Sequence, residues 1–169
     1  DYEAVNTNPY GVSDGELGPL KYGARFMNMQ QRVIPIGSPS LTTGPGNDLQ
    51  NTDLISSGNY IGYFGNNNNW GFNNEANWNF TDSRMNYAYQ NFYSQIFLPW
   101  NEIYEIAKDS DSPSEQAILE IANIVRNIAW LRATDVFGPI AYNSAGDGSI
   151  APKFDSQEVV YRSMLADLS

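Results

Sequence analysis

Between Asn66 and Asn79 the chain places three large rings, Trp70, Phe72 and Trp78, among the amides of Asn66 to Asn69, Asn73, Asn74, Asn77 and Asn79. Rings and amides suit a neutral, hydroxylated ligand. The apolar C–H faces of a sugar lie flat on aromatic surfaces, and its hydroxyls need partners that donate and accept without net charge. Trp70, Phe72, Asn74, Asn77 and Trp78 are therefore the candidate binding residues. The same rings are equally suited to plugging a long loop onto a scaffold, with the Asn residues capping turns. An open ring face separates the two readings. Tyr60, Tyr63 and Phe64, just upstream, fit either role.

Other chemistry is narrower. Cys and His are both absent, which removes thiol nucleophiles, disulfides, cysteine- or histidine-bound metals, Ser-His-Asp triads and imidazole acid–base work. Catalysis would fall to carboxylates, Lys or Tyr. Glu75 and Asp82 flank the aromatic segment and could imitate the acid pair of a glycoside hydrolase. Asp82 is already explained as a helix N-cap, and Glu75 as a solvated loop residue, so the expectation is no catalytic residue and no enzyme. Asp109, Asp111 and Asp147 lie in Ser- and Gly-containing loops, but their spacing is not that of a calcium-binding EF-hand loop. Solvated turns are the default, and no metal or cofactor is expected. Arg132 and Asp135 read as a structural charge pair or as caps of a helix exit. Asn79-Phe80-Thr81 matches a glycosylation sequon, a frequent chance pattern.

These residues belong to a chain of 169, enough for one domain, with 41% hydrophobic and 17% charged residues. Such a composition forms a core, and no apolar run approaches the roughly 18 residues of a membrane span. Nine Lys and Arg against nineteen Asp and Glu give a net charge of −10, which repels phosphate backbones and anionic headgroups. Nucleic acid and bare membrane are not expected partners. The chain opens Asp1-Tyr2-Glu3 with no basic or apolar leader.

The elements that must hold the aromatic segment follow from periodicity and punctuation. Residues 1–13 read as an extended leader, broken by Asn8-Pro9 and Gly11. Ser13 or Asp14 caps a helix over about 14–31, with Leu17, Leu20, Ala24 and Met27 on its apolar face. Residues 35–80 carry Gly, Pro, Ser, Thr and Asn with interleaved aromatics and no helical period, a long loop region of the functional kind. A helical hairpin spans about 82–136. Its first arm, capped by Thr81 or Asp82, carries Met85, Tyr89, Phe92 and Ile96, meets Pro99 as a kink or break, and ends near Lys108. Trp100 is expected in the core. Pro113 starts the second arm, which runs through Ile118, Ile121, Ala122, Val125, Ile128, Ala129 and Arg132 until Gly138-Pro139 stops it. Trp130 is expected to pack against the neighbouring helix, and Ala117, Ala122, Ala129 and Ala133 allow close approach. A loop over 138–154 leads to a further helix over 155–169, opened by an Asp155-x-x-Glu158 capping pattern. The expectation is an all-α fold of αα-hairpin pairs in a solenoid with long irregular loops, ending inside a longer architecture.

The second arm and its exit carry a resemblance. Arg126-Asn127-Ile128-Ala129-Trp130-Leu131-Arg132-Ala133-Thr134-Asp135-Val136-Phe137-Gly138-Pro139-Ile140-Ala141-Tyr142, followed by Pro152-Lys153-Phe154-Asp155-Ser156-Gln157-Glu158, is similar to motifs of the SusD/RagB family. There a helix ends in an Arg-x-x-x-Asp-x-Phe-Gly-x-x-x-Tyr-like pattern and Pro-Lys-Tyr-Asp-Ser-Gln-Glu opens the next. Asn6-Thr7-Asn8-Pro9-Tyr10-Gly11-Val12 and Trp100-Asn101-Glu102-Ile103-Tyr104 also agree with it. Ala141 and Phe154 depart from the usual Pro and Tyr. The resemblance covers most of this chain but only the N-terminal part of a single SusD-like domain. It implies tetratricopeptide-like helix pairs and an outer-membrane, cell-surface lipoprotein whose lipidated Cys lies outside this chain. It also implies binding of oligosaccharide or polysaccharide for nutrient uptake, and a TonB-dependent transporter of the SusC kind as partner. The alternative is a module that caps the transporter and takes a peptide, or no ligand, through this part.

Overall fold

Pro113 supplies no N–H where a helix would leave one unsatisfied, and from it the longest helix of the computed structural model runs to Phe137. The structure describes residues 18–34, 51, 53–54, 57–63, 78–79 and 81–169. In chain order a 3-10 turn, Gly18–Lys21, leads into α1, Gly23–Val33, and a helical turn forms at Gly58–Tyr60. Then come α2, Asp82–Asn91, a π-helical segment, Phe92–Phe97, and α3, Leu98–Ala107. Helix α4 is Pro113–Phe137 and α5 is Gln157–Asp167. Among the described residues there is no strand, only an isolated antiparallel bridge between Ile140 and Asp155. No described helix is long and apolar enough to cross a membrane.

Helix α1 buries a different face from the one its sequence indicates. Leu20 and Met27 are 72% and 52% exposed, and Ala24 is exposed too. The packed stripe is Tyr22, Phe26, Met29 and Val33. Leu20 lies in the 3-10 turn, which winds about three residues per turn instead of about 3.6, so an α period drawn through it runs out of phase. Leu17 and the caps expected at Ser13 or Asp14 fall outside the described residues. The packed stripe lies on α3, α4 and the π segment.

The first hairpin arm is continuous through Pro99. Ahead of it the helix widens, and the Leu98 N–H reaches back to the Tyr93 carbonyl, five residues away. Pro99 has no N–H to give the carbonyl four residues back, and the wider register absorbs that loss. The extra residue in the turn lets Tyr93 and Phe97 both face Trp130, with ring centres 4.9 and 6.1 Å away. Trp130 and Trp100 lie in the core, 1% and 8% exposed.

The turn between the arms is tied by Gln116, whose Nε2 donates to the carbonyls of Ala107 (2.7 Å) and Ser110 (2.8 Å). Lys21 Nζ holds the first turn of α4 through Glu115 at 2.7 Å. Helix α4 is apolar on more than one side, and the packed side is Leu119, Ala122, Ala129, Trp130 and Ala133. Ile121 and Ile128, expected on it, are 50% and 40% exposed. Small residues decide the choice, because alanines let the neighbouring helices come close where isoleucines would hold them off.

At its end α4 closes on Gly138, at φ 71°, a value favouring glycine. The Gly138 N–H donates to the Thr134 carbonyl (2.7 Å), and the Thr134 hydroxyl donates to the Gly138 carbonyl (2.6 Å). Asp155 does not cap α5. Its backbone pairs with Ile140, and its carboxylate accepts the N–H groups of Tyr142 (3.1 Å) and Asn143 (2.8 Å). Ser156 is the N-cap and accepts from the Val159 N–H. A carboxylate facing two free amides is better satisfied there than at the helix end next to it.

Candidate functional site

Of the five candidate binding residues, Trp78 alone lies among the described residues; Trp70, Phe72, Asn74 and Asn77 do not. Trp78 is 74% exposed and has φ 61°, a left-handed conformation unusual for a side chain of this size. Its ring centre is 6.0 Å from that of Tyr60, with the planes inclined at 46°. The Tyr60 hydroxyl reaches the Asn79 carbonyl at 3.4 Å. The strained backbone carries an indole that stands in the open, and Tyr63, three residues after Tyr60, is 79% exposed.

A second place with polar chemistry lies on the hairpin itself. A cavity of about 390 Å³ opens between α3, α4, the 143–147 turn and the end of α5. Its floor is Arg126, 7% exposed, whose guanidinium carbon sits 3.9 Å above the Trp100 ring centre and 5.1 Å from that of Tyr142. Arg126 Nη2 donates to Asp167 Oδ2 at 2.5 Å and to the Tyr142 hydroxyl at 3.1 Å. The Tyr142 hydroxyl in turn meets Asp167 and, at 2.8 Å, Asn127 Oδ1. Burial raises the Tyr142 pKa above the ordinary phenol range, so the group stays a donor. Arg126 Nε is buried with no acceptor among the described residues.

The wall is aromatic and amide. Trp100 and Tyr104 stack at 5.3 Å with 21° between planes, as residues four apart on one helix face can. Trp100 Nε1 donates to Asn123 Oδ1 at 2.8 Å, fixing that amide with its Nδ2 unused. The rim turn comes in close because Gly146 has no side chain: a Cβ there would lie 2.9 Å from Phe97 Cζ and 3.3 Å from Asn101 Oδ1. The residues of this cavity are far apart in sequence, and no spacing rule brings Asn101, Arg126, Asn143 and Asp167 together.

The remaining candidates have local partners. Arg132 does not pair with Asp135; its Nη2 donates to Asp53 at 3.0 and 3.1 Å, while Asp135 accepts the Tyr161 hydroxyl at 2.6 Å. Three residues apart, the two point to different neighbours, one toward the segment beside α1 and the other toward α5. Asp82 lies in the first turn of α2, where a carboxylate suits the dipole. Asp147 Oδ1 accepts the Ser149 N–H at 2.8 Å, as a solvated turn residue does. Glu75 is outside the described residues. Among the described residues no three carboxylates gather in a way that could hold a metal ion.

Residues 4–169 match the family described as SusD-like: Susd and RagB outer membrane lipoprotein. No curated protein matches the chain.

Proposed function

The chain belongs to the SusD-like family of outer membrane lipoproteins, and on that premise we propose that it is a non-enzymatic, cell-surface glycan-binding protein. It serves as the N-terminal part of a SusD-like domain that captures oligosaccharide and passes it to a SusC-like TonB-dependent transporter. The observation that carries the reading is the open indole of Trp78 beside Tyr60. It offers a sugar an apolar face, and Trp70, Phe72, Asn74 and Asn77 of the same segment complete the proposed platform. The net charge of −10 favours a neutral glycan.

The test is retention on immobilised polysaccharides by affinity electrophoresis. Trp78→Ala is expected to weaken retention about tenfold, the loss of roughly 1–1.5 kcal/mol of stacking, with an unchanged circular-dichroism spectrum. Trp78→Gly removes the indole and the left-handed strain together, so its retention falls while its melting temperature does not. Retention equal to the parent in both variants removes Trp78 from the site.

A transporter-capping module is the second reading, favoured by one observation. Ile124, Ile128 and Leu131 of α4 form, with Leu165 of α5 and Leu168 just past its end, an open apolar groove of about 310 Å³. Under that reading co-purification with the transporter survives deletion of residues 66–79 and is lost on Ile128→Asp.

A further inference from the structure

We propose that the cavity on the hairpin is a separate subsite for one neutral pyranose residue of the glycan, a proposal that rests on the glycan-binding reading but not on Trp78. Three observations carry it. First, polar groups around the cavity are unmatched within the protein. Among the described residues the Asn101 amide has no partner, Asn123 and Asn143 each use only Oδ1, and the buried Arg126 engages Nη2 alone. Arg126 Nε is buried, where a folded protein leaves few donors unmatched, and the half-buried or exposed amides of Asn101, Asn123 and Asn143 are free to meet a hydroxyl rim in place of water.

Second, the charge balance excludes anions. The carboxylates of Glu105, Asp147 and Asp167 outnumber the single guanidinium, which Asp167 already neutralises. Phosphate or a uronic acid would enter a field of its own sign. Third, shape and surface suit one ring. The volume lies in the range of small-ligand sites, and the Trp100–Tyr104 stack supplies an apolar wall beside the amides. Gly146 makes the enclosure possible, since any side chain there would press on Phe97.

The assay follows tryptophan emission, because Trp100 lines the cavity whereas Trp130 is enclosed. Protein carrying both Trp70→Ala and Trp78→Ala, which keeps Trp100 and Trp130 of the four tryptophans, is titrated with glucose, galactose, mannose, xylose and N-acetylglucosamine, with glucuronate and inorganic phosphate as anionic probes. At least one neutral sugar is expected to shift the emission and neither anion to do so. Asn101→Leu is expected to weaken that sugar five- to tenfold, the loss of one neutral hydrogen bond. Asn143→Leu, at an exposed position, repeats the test where Asn101→Leu lowers the melting temperature. The proposal is overturned when no neutral sugar shifts the emission, when an anion binds more tightly than the sugars, or when both Leu variants bind as the parent does. Trp78→Ala in the otherwise parent protein tests the aromatic platform through polysaccharide retention, and the two Leu variants test the cavity through the monosaccharide titration, so either site can fail without the other.

Discussion

Asp167→Ala leaves Arg126 enclosed and without its carboxylate. Breaking a fully buried pair by removing one partner typically destabilises by about 3–5 kcal/mol, whereas an exposed pair contributes about 0–1. This pair lies between those limits, because the Arg126 side chain is 9% exposed and that of Asp167 is 36%. Water can therefore reach the guanidinium through the space the carboxylate leaves, which lowers the figure to about 2–3 kcal/mol. A second correction has the opposite sign. Asp167 is the last residue of α5, where a negative charge opposes the helix dipole, and its removal returns about 0.5 kcal/mol. The net loss is about 2 kcal/mol, a fall in melting temperature of about 4–8 °C for a chain of this size. Urea denaturation of the parent, Asp167→Ala, Arg126→Met and the double variant measures it as a cycle. A methionine keeps contact with the Trp100 ring, so the double variant should be more stable than the sum of the singles by at least about 1 kcal/mol. High salt should change the coupling little, since the pair is poorly screened. An Asp167→Ala loss under about 0.5 kcal/mol, or a coupling near zero, would mean that the pair behaves as a surface contact and that the cavity floor is not rigid.

Three further outcomes follow from particular geometries. Gly146→Ala combines a φ of 80° with a Cβ 2.9 Å from Phe97, whereas Gly148→Ala has a φ of 81° and nothing within 4 Å. Both should lose about 1 kcal/mol by the backbone effect, with Gly146→Ala losing about 1 more, and equal melting temperatures would refute the close approach. The hydrogen bond from Lys21, and then that from Ser110, hold the Glu115 carboxyl at about 2, below its ordinary 4.5. A lowered carboxyl pKa stabilises the fold above pH 4.5 and loses that contribution as pH falls toward about 2. Glu115→Gln should thus melt below the parent at neutral pH and converge with it near pH 2, and a gap that persists there contradicts the pairing. Trp130→Ala, at 1% exposure against Tyr93 and Phe97, should destabilise by about 3–5 kcal/mol and cost the chain its cooperative melting transition.

What could be read from the chain beforehand divides by the range of the interaction. Pro113 and Gly138 act within one turn, and α4 starts and stops beside them. Pro99 signals a disturbance for the same local reason, though whether it kinks the helix or widens it depends on Trp130, thirty-one residues further on. Faces are harder than ends. Helix α4 carries isoleucines on the side it leaves open, so hydrophobicity alone could not rank its sides, and the α1 stripe was displaced by a single 3-10 turn. Asp155 looked like a cap because its competing partners, the backbone amides of Tyr142 and Asn143, lie thirteen and twelve residues back. Trp78 stood out through composition alone. The cavity could not, since it takes its residues from the π segment, α3, α4, the 142–147 loop and α5, and no local spacing rule joins them.

That division bears on how the cavity should respond to substitution. Arg126, Tyr142 and Asp167 satisfy one another, so changing any of them disturbs the fold whether or not a ligand ever enters. Asn101 and Asn143 stand at the other extreme: the Asn101 amide has no partner among the described residues, and Asn143 accepts only a 3.3 Å bond from Ser163. A residue that contributes almost nothing to the fold has little effect on stability when altered, about ±0.5 kcal/mol at a surface position. Any loss of sugar binding at those two positions must therefore come from contact with the ligand. If Asn101→Leu and Asn143→Leu shift the melting temperature as far as Asp167→Ala does, the amides are bound into the fold by contacts of their own. Their freedom to meet a hydroxyl, and with it the subsite, would then be lost.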